Sequence, residues 1–117
     1  MTSTATTYAY RSKVAQAAAR GSALPRISHL AFGTGARPYR LDDEALEAEF
    51  IRLPASLQVR GVLLMASATL VGRAVGNRVL REIGAFAEDG TLVGRRVIAA
   101  KGFEPETELD IELTFQY

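Results

Sequence analysis

A mixed α+β domain with a mainly antiparallel β-sheet is the fold that this sequence predicts. The prediction rests on helix-spaced apolar residues near the start, alternating segments from Leu57 onward, and an Asp-Gly turn signal between two of those segments. At 117 residues with 48% hydrophobic side chains, the chain suits one domain around one core. Residues 1–7 are small and polar and are expected as a flexible arm, leaving 8–117 as a single α+β domain.

In chain order, Tyr10, Val14, Ala17 and Ala18 fall on one helical face, and Gly21 is placed to end that helix in a left-handed cap. After Pro25, Ile27 to Phe32 reads as a strand running into the turn-forming stretch Gly33 to Pro38. A second helix of about ten residues is expected next, capped by Asp42 or Asp43, striped by Leu46 and Phe50, and stopped by Pro54. Leu57 to Met65 reads as one strand that starts exposed and becomes buried. Val79 to Phe86 and Leu92 to Ala100 are expected as a hairpin about Asp89-Gly90, with a type I′ turn. Leu109, Ile111, Leu113, Phe115 and Tyr117 alternate with polar residues as in a half-buried antiparallel strand. Two N-terminal helices and a mainly antiparallel sheet follow, with a helix-flanked β-sandwich as the alternative.

Composition narrows the function classes. Fourteen basic residues against thirteen acidic ones give a net charge of +1, and the arginines are scattered, so no nucleic-acid footprint is present. No apolar stretch approaches the length of a membrane helix and no secretory signal opens the chain, so a protein made in the cytoplasm and without a membrane partner is expected. Without cysteine there is no disulfide, thiolate metal site or cysteine nucleophile. His29 is the lone histidine and has no carboxylate neighbours in sequence, so it suits neither a zinc site nor a triad. The acidic run Asp42, Asp43, Glu44, Glu47 and Glu49 suits a helix start better than paired acid and base groups. Gly33 and Gly35 lack the third glycine or the lysine of a phosphate loop. No catalytic residue, cofactor or metal is therefore assigned, and the chain is expected not to be an enzyme.

Three stretches carry a family likeness. They are the Ala-rich helix ending in Gly21, the run Ile27 to Gly35, and Arg81-Glu82-Ile83-Gly84-Ala85-Phe86-Ala87-Glu88-Asp89-Gly90-Thr91-Leu92-Val93-Gly94. In this order the chain, from about Tyr8 to Ala100, resembles the N-terminal domain of phage tail-collar fibre proteins. Two departures stand out: Asn77-Arg78-Val79-Leu80 holds no aromatic ahead of Arg81, and Ala36 to Leu41 is a shorter loop. The resemblance implies a non-enzymatic oligomer that anchors a fibre to a baseplate, with itself and other tail or baseplate proteins as partners, ending up in a virion or tail-like particle. Because the sequence stops at Tyr117 with neither shaft nor tip, a standalone adaptor is expected. The unrelated alternative is a small ligand-binding or regulatory module.

Two residue sets follow as candidate contacts. Arg81, Glu82, Ile83, Gly84 and Phe86 form the family motif, and in a strand their charges share faces with apolar groups, so Arg81 and Glu82 need partners, either across the sheet or in a neighbouring subunit. Phe115 and Tyr117 share one face of the last strand and are the candidate interface aromatics.

Overall fold

The computed structural model describes residues 3–117. Its elements run α1 Tyr8–Arg20, β1 Ile27–Gly33, β2 Glu49–Pro54, β3 Ser56–Arg60, β4 Leu63–Val71, α2 Gly72–Val75, β5 Leu80–Ala87, β6 Leu92–Lys101 and β7 Glu108–Gln116. All strand pairing is antiparallel, in one sheet ordered β2-β1-β5-β6 and a second ordered β3-β4-β7. Leu30, Phe32, Ile83, Ala85 and Val93 of the first sheet meet Ala66, Leu70, Ile111, Leu113 and Phe115 of the second in one buried cluster. The α+β class holds, in the form of two facing sheets flanked by a helix.

Local chemistry fixes the helix ends. The Thr7 hydroxyl accepts from the Tyr10 amide at 3.1 Å and donates to the Leu92 carbonyl at 2.6 Å, so one side chain caps α1 and ties it to β6. Gly21 ends α1 at φ 69° with its amide on the Ala17 carbonyl, as the sequence predicts. The small-residue face packs less than expected: Tyr10 is buried and Val14 touches the core, but Ala18 is exposed. The residues expected to fray are also engaged from Thr4 on. The Thr4 amide donates to the Thr114 carbonyl, Thr6 bridges to Gly94, and Thr4 and Thr7 are buried, because this segment fills the margin between β6 and β7.

The second predicted helix does not form. Residues 41–48 are loop, Glu49–Pro54 is edge strand β2 on β1, and the other helix is the single turn α2. The reason is competition for backbone amides: those of Glu47 and Ala48 go to the Glu82 carboxylate, and Asp43 bonds the Arg40 amide instead of capping a helix. The apolar spacing read as a helical stripe is served by a buried loop residue, Leu46, and a strand residue, Phe50.

The stretch Leu57 to Met65 is a hairpin, not one strand. Gly61 at φ 58° and Val62 connect Arg60 to its partner Leu63, and a glycine at the first central position suits a type II′ turn. The hairpin about Asp89-Gly90 forms between β5 and β6, but not through a type I′ turn, since among the described residues only glycines have positive φ. The Gly90 amide donates to the Ala87 carbonyl and the Ala87 amide to the Thr91 carbonyl, which fits a type I turn followed by glycine at φ 90°. Space around Gly90 is open, so only backbone strain opposes a side chain there. Gly90→Val is expected to cost about 1–2 kcal/mol, and Gly90→Asn clearly less, in thermal or urea unfolding.

Candidate functional site

Alternation along β5 assigns its side chains. Ile83 and Ala85 enter the core between the sheets, and Glu82, Gly84 and Phe86 face the other way, beneath the 34–48 loop. Glu82 is fully buried, and both carboxylate oxygens are occupied. Oε1 accepts from the Glu47 amide at 2.9 Å and from Arg95 Nε at 2.8 Å, and Oε2 accepts from the amides of Gly35 and Ala48, each at 2.8 Å. One carboxylate thus pins both ends of the loop.

The glycines of the loop make that approach feasible. A Cβ at Gly33 would lie 2.5 Å from Glu82 Oε2 and 2.6 Å from the Ala48 carbonyl, and one at Gly35 would lie 2.5 Å from the same carboxylate oxygen. At Gly84 it would meet Leu46 Cδ2 at 2.6 Å. The glycine pair that superficially suggests a phosphate loop therefore makes room for an internal carboxylate.

Charge alternates outward from Glu82. The buried Arg95 reaches Asp43 at 3.4 Å through Nη1, and Asp43 pairs with Arg37 at 2.9 Å. Arg95 Nη2 is buried with no hydrogen-bond partner among the described residues. Burial alone would raise the Glu82 pKa, but Arg95 and the Ala48, Glu47 and Gly35 amides outweigh it and hold the carboxyl below its usual range. For Asp43 burial likewise acts upward and is outweighed by the Arg40 amide, Arg37 and Arg95. Both are ionised at neutral pH, and Glu82 has no open face toward a reacting group.

The other acidic residues disperse. Glu47 accepts from the Arg37 amide and Glu49 pairs with Arg52, whose guanidinium lies 3.8 Å from the centre of the Phe86 ring. His29 is half-buried with Nδ1 2.8 Å from Ser28 Oγ, in a depression lined by Arg26, Ile27, Ser28, Ala55 and Leu57. No carboxylate lines that depression to orient the ring. Among the described residues, no three metal-ligating side chains gather, and no helix is long and apolar enough to cross a membrane.

The candidate contact residues therefore separate. Glu82, Ile83, Gly84 and Phe86 are buried within the chain and leave no surface for a neighbour, while Arg81 is exposed. The partners that Glu82 needs are internal. Phe115 is fully buried in the core, which corrects its reading as an interface aromatic, whereas Tyr117 remains 51% exposed. The Tyr117 hydroxyl shares a hydrogen bond with that of Tyr10, and the rings meet edge to face at 6.2 Å.

Tyr117 lines a feature that sequence reasoning missed. A largely apolar groove of about 310 Å³ runs between the α1–β1 connection and the β3–β4 hairpin, bordered by Tyr10, Leu24, Ile27, Leu57, Val59 and Val62. Every residue of β3 is exposed, including Leu57 and Val59. The signal was present in Gly61, whose turn converts one long apolar strand into a hairpin with an outer edge. Against protein-family models, curated proteins and solved structures, the chain has no match.

Proposed function

We propose that this chain is a structural component of a contractile phage tail or tail-like particle, an attachment or adaptor module of the fibre or baseplate that works by assembly and performs no reaction. One observation carries the assembly half of this reading: the edge strand β3, exposed at every residue, with Leu57 and Val59 bordering an apolar groove. The tail half rests on the resemblance of Arg81 to Gly94 and Ile27 to Gly35 to tail-collar fibre domains. The chain is made in the cytoplasm and then built into the particle.

The test is to tag the chain in its native host, induce particle production and separate particles on a density gradient. Co-migration with particles at a fixed ratio, and fibreless particles on deletion of the chain, are the expected results. A pool that stays wholly in the unassembled fraction overturns the proposal.

The groove favours one second reading, a small binding module for an apolar ligand, because its volume lies at the low end of ligand pockets, which begin at about 300 Å³. Saturable binding of one hydrophobic probe per monomer, lost on Val59→Asp, would favour that reading.

A further inference from the structure

Three of the four sheet edges carry a device against strand addition. β2 carries Glu49 and Arg52 and ends in Pro54, β6 takes Thr6 as a bridge partner at Gly94, and on β7 the Thr114 carbonyl receives the Thr4 amide. β3 has no proline, no register shift against β4 and one charge, Arg60, and among the described residues no segment pairs with its outer edge.

The hairpin turn decides which groups β3 presents. With two residues between Arg60 and Leu63, these form the closing hydrogen-bonded pair, so Ser56, Gln58 and Arg60 direct their backbone groups to β4. Leu57 and Val59 direct theirs to the open edge. Their side chains share a face with their partners Ala66 and Leu64, so they extend the apolar face of the core beyond its cover.

We infer that β3 pairs with β3 of a second copy, antiparallel about a two-fold axis at Gln58, joining two three-stranded sheets into one of six strands; this rests on the assembly reading above. In that register Leu57 of each copy faces Val59 of the other, so the outward amide and carbonyl of both residues are satisfied in both chains. Ser56 faces Arg60 and Gln58 faces Gln58, so no like charges oppose one another. The exposed Val62, at the turn beside β3, adds apolar surface next to the seam. A foreign strand could occupy the same edge, but the self-pairing satisfies every outward group of β3 without a charge conflict.

Light scattering and sedimentation on the purified chain test this. The wild type is expected at twice 12.6 kDa in the high-micromolar range. Val59→Pro removes an amide that makes no bond to β4 and is expected to abolish the dimer with the melting temperature of the monomer retained. Gln58→Lys or Gln58→Glu alone places like charges across the axis and weakens association about fivefold, more at low salt, and mixing the two variants restores it as a heterodimer. A wild type that remains monomeric, or a dimer indifferent to Val59→Pro, overturns the inference. A β3 dimer that never enters particles overturns the tail reading alone, and particle entry by a chain that is monomeric in solution overturns the dimer alone.

Discussion

Glu82→Gln is expected to remove about 3–5 kcal/mol of folding stability in urea titration, a large share of the roughly 5–15 kcal/mol typical of one domain. The substitution keeps size and shape but supplies one acceptor oxygen and one NH2 group where the site offers four donors. Whichever way the amide turns, its NH2 faces either the Glu47 amide and Arg95 Nε or the Gly35 and Ala48 amides. Arg95 also loses its closest counter-charge while its side chain is fully buried. Arg95→Met is expected to destabilise too, and the double variant with Glu82→Gln to cost less than the sum, with a coupling of about 0.5–3 kcal/mol. Additive losses would show that the two groups do not act as a pair.

The same carboxylate sets an acid limit. Its folded pKa lies below the ordinary glutamate value of 4.5, so its contribution is complete above that value and is lost as pH falls through the lower folded pKa. Asp43, also lowered from its ordinary 3.8, adds a second loss beneath it. Stability of the wild type is expected to fall steeply below about pH 4, and Glu82→Gln to flatten that slope while lowering the neutral plateau. An unchanged slope would mean that Glu82 keeps its proton affinity on unfolding.

This centre shows where sequence reading succeeds and where it stops. Strand alternation correctly divided Ile83 and Ala85 from Glu82, Gly84 and Phe86, because side-chain facing in a strand is a local property. What lies over the second face is decided by a loop of residues 34–48, more than thirty positions away in sequence, and no local pattern reports it. The signs were indirect: small residues at 33, 35 and 84, where a Cβ would collide with Glu82 or Leu46. Where an element is fixed by its own backbone needs, as at Gly21, the sequence was sufficient, and at Gly90 it placed the hairpin but not the turn type. Where amides have a tertiary partner, as at Glu47 and Ala48, helical spacing misled.

Phe115→Ala is expected to cost about 3–5 kcal/mol, and Tyr117→Ser only about 1 kcal/mol, although both aromatics belong to the same alternating face of the last strand. Phe115 is fully buried within the core, and its ring packs so closely that a Cβ on Gly94 would come within 2.7 Å of it, so truncation leaves a cavity in a tightly packed region. Tyr117 is half exposed, and its loss removes from the fold the hydrogen bond to the hydroxyl of the buried Tyr10 and the edge-to-face contact of the two rings. The hydrogen-bond part of that cost should vanish in a Tyr10→Phe background, which has no hydroxyl to strand but keeps the ring contact. The two variants separate core from surface when unfolding and sedimentation are measured on the same samples. Phe115→Ala should lower the unfolding midpoint, and Tyr117→Ser should leave both the fold and the β3 pairing nearly intact. If Phe115→Ala instead left the midpoint in place and altered only the oligomeric state, its ring would belong to an interface and the shared core of the two sheets would be wrongly drawn.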